Sequence, residues 1–152
     1  MKDKAILALL LVLMLEGCYG CPPTILRGEC REFFAMPANE REAKFRTYPI
    51  DKQVDLFLCG MDLEPPHSGY AAYIAEGGEK NIPYLLQRLE AERSEITQLH
   101  LIDIFTVLAI KGHLHGRQDV LVRLEQVVSR MKYEPIRQKA LEYLDEIRPQ
   151  VQ

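Results

Sequence analysis

The sequence predicts an all-α fold, and three observations carry that expectation. From about residue 51 onward, apolar residues recur at i, i+3, i+4 and i+7, the spacing that places side chains on one face of a helix. Proline, glycine, asparagine and serine punctuate these runs where helices start and stop. No segment alternates apolar and polar residues with period two for long enough to suggest a sheet.

In chain order, Lys2 and Lys4 precede AILALLLVLML, an unbroken apolar run from Ala5 to Leu15. As a helix that run covers roughly 16 Å at about 1.5 Å per residue, against a hydrocarbon core of about 30 Å. It is too short to span a bilayer. A basic start followed by a short apolar stretch is instead the pattern of a removable export signal. The next tetrapeptide, Leu15-Glu16-Gly17-Cys18, resembles the lipobox of bacterial lipoprotein precursors, although Glu16 stands where that pattern has a small or apolar residue. The resemblance implies a signal peptide over 1–17, cleavage between Gly17 and Cys18, and diacylglycerol attached to the Cys18 sulfur. Acylation of the new amino terminus would follow, with palmitate-type chains. Tyr19 in place of Asp implies the outer membrane, periplasmic face, rather than the inner one.

The chain carries a net charge of −3, which excludes nucleic-acid binding by charge. The chain beyond Gly17 is long enough for one domain with a real core. Cys18 and Cys21 spell C-Y-G-C, superficially a redox pair or half of a metal site. An acylated Cys18 has no thiolate, so a four-cysteine zinc site is excluded and no metal or other cofactor is expected. Cys21 and Cys30 flank PPTILRGE and are expected to close a disulfide in an oxidising compartment. Cys59, within DLFLCGM, is then left as a buried free cysteine that packs as a small hydrophobe.

Residues 18–50 read as a lipid-anchored tether followed by one weak helix. Residues 19 to about 32 lack periodicity and would reach roughly 45 Å if extended. The weak helix covers 38–46 and is ended by Tyr48-Pro49. The helical domain covers 51–148. Asp51 is expected to cap a helix over 52–62 with Val54, Phe57, Leu58 and Met61 inward. Ser68 opens a short helix with Tyr70, Tyr73 and Ile74, stopped at Gly77-Gly78. Asn81 is the expected N-cap of a helix to about 92, with Pro83 in its first turn. Ser94 opens a longer helix to about 111, apolar nearly all round and therefore central. A turn at GHLHG leads to a helix over 117–131 with a single apolar stripe, and Glu134-Pro135 starts the last helix.

An offset of 38 residues aligns Ile82 with Val120, Leu86 with Leu124, Leu89 with Val127, Ile102 with Ala140 and Ala109 with Ile147. This pattern resembles HEAT-like helical-hairpin repeats, which implies a short α-solenoid or helical bundle. The stretch 51–147, with DKQVDLFLCGM, PPHSGYAAYIAEGG, IPYLLQRL and GHLHGRQDV, is also similar to small exported bacterial proteins of no assigned activity. That likeness implies a fold and no reaction.

Two constellations are candidate sites. Lys111, His113, His115 and Arg117 in KGHLHGR could hold an anion such as a lipid phosphate at the start of the next helix, although a solvated basic turn is the plainer expectation. His100, Asp103 and Thr106 form a polar strip on the most apolar helix, where His with a carboxylate neighbour is an acid/base pair and a packing seam is the plainer expectation. No Gly-rich phosphate loop, H-E-x-x-H or G-x-S-x-G is present, so no catalytic residue is assigned. The sequence thus points to a cell-envelope lipoprotein, held to the membrane by its lipid, whose helical domain binds or scaffolds another protein along a concave helix face. The alternatives are an envelope enzyme or accessory using His100 and Asp103, and an anion or lipid-headgroup binder.

Overall fold

A computed structural model describes residues 24–152. The described residues form eight α-helices and no strand. The export signal, the lipobox with Cys18, and Cys21 lie outside the described residues. No described helix is long and apolar enough to cross a membrane.

The first helix, α1 (Thr24–Ala35), lies where the sequence suggested a tether. It folds because Cys30 and Phe33, three residues apart, are both buried against the rest of the domain, with Phe34 half-buried beside them. Helix α2 (Ala38–Thr47) has a single buried residue, Phe45, and ends at Tyr48-Pro49 as expected. Helix α3 (Ile50–Met61) buries Val54, Leu56, Phe57 and Gly60. It begins at Ile50 with Pro49 ahead of it, so Asp51 sits in the first turn and does not cap it. A Cβ at Gly60 would lie 2.5 Å from the Phe34 ring, so only glycine lets α1 approach α3 here.

Cys30 of α1 is disulfide-bonded to Cys59 of α3, with their Cα atoms 6.3 Å apart. This replaces the Cys21–Cys30 bridge expected from spacing, and it removes the free thiol expected at Cys59. The reason is tertiary: Cys30 lies on the face of α1 that packs on α3, so its partner comes across the helix pair and not along a short loop. Closing a loop of this size contributes about 3 kcal/mol by restricting the unfolded chain.

Helix α4 (Tyr70–Ala75) is short and opens without a side-chain cap from Ser68. Gly77 keeps an ordinary helical φ of −66°, and Gly78 alone takes the left-handed conformation, at φ 61°. A 3-10 turn, Gly78–Asn81, then leads into α5 (Ile82–Ala91). Asn81 does not cap α5: its buried Nδ2 donates to the Ile74 carbonyl at 2.8 Å, tying α5 back to the end of α4.

Ser94 caps α6 (Glu95–Ile110) as expected, accepting from the Thr97 amide at 3.4 Å. Helix α6 is central, packing against α3, α4, α5 and α8. The last two helices are α7 (Gln118–Val128) and α8 (Glu134–Val151). Val120, Leu121, Leu124, Val127 and Val128 are all buried, as the stripe on α7 requires. Helix α8 runs past Pro149 to Val151, beyond the boundary at 148, because Val151 is buried and its carbonyl accepts from the Gly116 amide at 2.9 Å.

Helices α5 and α6 pack as one hairpin and α7 and α8 as another, with α5 against α7 and α6 against α8. Arg123 on α7 pairs with Glu90 on α5 at 2.6 Å, and Arg148 on α8 with Glu125 on α7 at 3.1 Å. Both pairs are solvent-exposed, so each adds at most about 1 kcal/mol and the apolar interior carries the packing.

Candidate functional site

On α6 the buried residues are Leu99, Leu101, Ile102, Ile104, Phe105, Thr106, Leu108 and Ala109. Beyond its first turn, every residue of α6 that is not buried belongs to one stripe: His100, Asp103, Val107 and Ile110. Ile96 in the first turn extends it. The five positions are separated by 4, 3, 4 and 3 residues, which keeps them on one face of the helix. Ile96 is 45% exposed and Ile110 67%, unusual for isoleucine on the helix at the centre of a fold. Between these exposed ends His100, Asp103 and Val107 are partly buried, with Val107 packed against the core.

Of the polar strip expected from the sequence, His100 and Asp103 lie on the seam and Thr106 does not. Thr106 is buried, and its hydroxyl donates to the Ile102 carbonyl one turn back at 3.4 Å. His100 and Asp103 do not hydrogen-bond to one another, and their electrostatic surroundings differ. Burial holds the His100 imidazole below the usual histidine range, opposed by the Asp62 carboxylate just past the end of α3. Burial pushes the Asp103 carboxyl above its usual range, aided by Glu146 and opposed by Lys139, both on α8. The two lie on one side of α6 but have different charged neighbours, Asp62 for His100 and α8 for Asp103.

Helix α8 repeats the helical spacing with Lys139, Tyr143 and Glu146 at i, i+4 and i+7. The field of Asp103 is felt at Tyr143, whose hydroxyl is pushed up first by burial and then by Asp103. The Lys139 ammonium lies over the Tyr143 ring, 5.0 Å from its centroid, and pairs with Glu142 at 2.7 Å.

The basic turn is differently made. Lys111 Nζ donates to the Ala72 carbonyl on α4 at 3.1 Å, whereas Arg117 pairs with Asp119 through two bonds of 2.9 Å. His113 leans over Gly78, where an added Cβ would lie 3.2 Å from the ring. His115 is exposed. The amides of Gly112, His113, Gly116 and Arg117 already donate to backbone carbonyls. Lys111, His113 and Arg117 therefore brace the turn against α4, the 3-10 turn and α7, and His115 stands exposed, so the four do not converge on a common point.

Two recesses lie elsewhere. One, of about 560 Å³, opens between α1, α2 and α3, with Phe33, Met36, Tyr48 and Leu56 inside and the Lys52–Glu29 ion pair at its rim. The other, of about 190 Å³, lies between α7 and α8 beside Leu141 and Leu144. Neither includes His100 or Asp103. Among the described residues, no group of three or more His, Cys, Asp or Glu side chains is placed to hold a metal ion.

Sequence reasoning found His100 and Asp103 but missed the seam around them. Its signal was present in the 4-3-4-3 spacing of Ile96, His100, Asp103, Val107 and Ile110, obscured because α6 is apolar on nearly every side. No family model matches the chain. No curated protein and no solved structure matches it either.

Proposed function

We propose that this chain is a lipid-anchored protein of the bacterial cell envelope whose HEAT-like helical domain binds another protein along the outer face of α6. The observation that carries the binding role is the seam from Ile96 to Ile110, exposed at its two isoleucines and partly buried between them. A helix at the centre of a core normally hides its apolar residues, and exposed isoleucines joined by a partly open polar face favour a protein contact. His100 and Asp103 serve in it as polar positions that select a partner.

The Cys30–Cys59 bridge supports export independently of the signal segment, since structural disulfides persist in oxidising compartments such as the periplasm. The short stretch between Cys18 and the described domain limits how far an anchor could hold it. Residues 19–23 lie between Cys18 and the described residues, a reach of about 20 Å at most at ~3.5 Å per residue. An acylated Cys18 would hold the domain close to its bilayer, so a partner would have to be met at the membrane surface.

Labelling cells with a palmitate analogue tests the anchor: label is expected on the wild-type chain and none on Cys18→Ala. Equal labelling of the two, or none on either, removes the lipid. Co-purification from envelope fractions tests the binding role. A stoichiometric protein companion is expected with the wild type and about tenfold less with the double variant Val107→Glu, Ile110→Glu, since each charge is forced into the apolar part of the contact. Equal recovery removes the seam as the binding surface.

A further inference from the structure

We infer that the α6 seam receives an amphipathic helix of the partner protein, with a lysine or arginine of that helix set against Asp103. The inference rests on the binding role proposed above and specifies the chemistry of the partner. The 4-3-4-3 spacing of Ile96, His100, Asp103, Val107 and Ile110 is that of a seam which meets another helix along its length, because alternating steps of four and three keep both partners in register. Fourteen residues of rise from Ile96 to Ile110 correspond to about 21 Å, or four turns, so the incoming helix is of similar length.

The charges around the seam set the sign of the partner. Asp62 stands on one side, and Asp103, Glu142 and Glu146 on the other, against Lys139 on α8 and Lys111 just past Ile110, whose Nζ is held by the Ala72 carbonyl. Lys139 is already held by Glu142 and the Tyr143 ring. Among the described residues, neither Asp103 nor Glu146 takes part in an ion pair. A cation arriving between them meets two carboxylates that make no ion pair and whose field Lys139 only partly offsets, and its aliphatic stem covers apolar surface near Val107 and Tyr143. A second copy of the chain fits poorly. Asp103 is the middle of the five seam positions, so antiparallel pairing of two seams would set Asp103 against Asp103. An anionic lipid surface would be repelled by the same carboxylates.

Photo-crosslinking from position 110 in the full-length chain, expressed in cells, tests the inference. The crosslinked peptide is identified by mass spectrometry, and a photoreactive residue at Val122 on α7 serves as the control. The expected result is an adduct from position 110, absent from position 122, to a peptide with helical apolar periodicity and at least one lysine or arginine. Its yield should fall about tenfold in Asp103→Arg and less in the near-isosteric Asp103→Asn, with helicity by circular dichroism unchanged in both. An adduct to the chain itself, to lipid or to a peptide without a basic residue overturns the inference. So does the absence of an adduct, or a yield that Asp103→Arg leaves unchanged. If the companion still depends on Val107 and Ile110 but the adduct carries no basic residue, the binding role stands and only the chemistry assigned to its partner falls.

Discussion

Where α5 to α8 are joined by aliphatic side chains on regular stripes, α1 to α4 are joined by a knot of rings. Phe33 and Phe34 meet edge to face at 5.0 Å, Phe45 and Tyr70 at 4.7 Å, and the His67 ring stacks on Phe34 at 4.4 Å. Arg41 threads the knot, donating from Nε to the Tyr70 hydroxyl at 2.6 Å and from Nη1 to the Phe34 carbonyl at 2.8 Å. Arg46 lies 4.2 Å over the Tyr73 ring. Each ring pair adds about 0.5 to 1.5 kcal/mol beyond the area it buries. Stripes distribute stability over many interchangeable contacts, whereas a knot concentrates it in a few. The half with the shorter helices therefore depends on individual side chains, and the disulfide lies in that half.

Removing a ring should expose this dependence most strongly. Phe45 is the only buried residue of α2 and touches Phe33, Tyr70 and Tyr73 through its ring. Phe45→Ala is expected to cost about 3 to 5 kcal/mol in urea denaturation, with hydrogen exchange in α1 to α3 accelerated before that in α5 to α8. A cost below about 1 kcal/mol, or uniform acceleration across both halves, would erase the contrast. Cys59→Ser should cost about 3 kcal/mol, confined by the same exchange measurement to the first half. An unchanged midpoint would mean that the knot holds α1 to α3 without the bridge.

The smallest effect belongs to the seam and comes from pH. Burial holds His100 below the ordinary histidine value, so the stability it contributes is present above about pH 6.5 and is lost as pH falls through its lower folded value. Asp103, pushed up by burial, has the opposite pH course: its contribution is present below the ordinary carboxylate range and lost as pH rises through the raised value. Both groups favour their neutral forms in the fold. His100→Gln should flatten the acid limb of a melting profile, and Asp103→Asn should match or exceed the wild type at pH 7. An acid limb unaltered by His100→Gln would place the sensitivity elsewhere.

The same contrast governs how much could be read from the sequence. Helices α5 to α8 were legible because Ile82, Leu86 and Leu89, or Val120, Leu124 and Val127, repeat at helical spacing whatever they touch. Helix α1 was not, because Gly28 interrupts its pattern and, among the residues whose burial is described, its inward face has Cys30 and Phe33, with Phe34 at its edge. Pairing of Cys30 with Cys59 depends on how α1 lies across α3, which no local spacing encodes. Asn81 has the residue type of a cap, yet a buried carbonyl at Ile74 claims its side chain. On α6 the composition marked a central helix correctly, but only burial distinguishes the one face left open.

The bridge between Cys30 and Cys59 also has a mechanical meaning. Tension applied to the chain ahead of Cys30 passes through the sulfur atoms directly into α3, so residues 31–58 lie off the loaded path. Helix α2 and the rings it contributes are thereby shielded from a pull on the amino-terminal end, and the load passes from α1 at Cys30 into the end of α3, beside the Asp62 that neighbours His100 on α6.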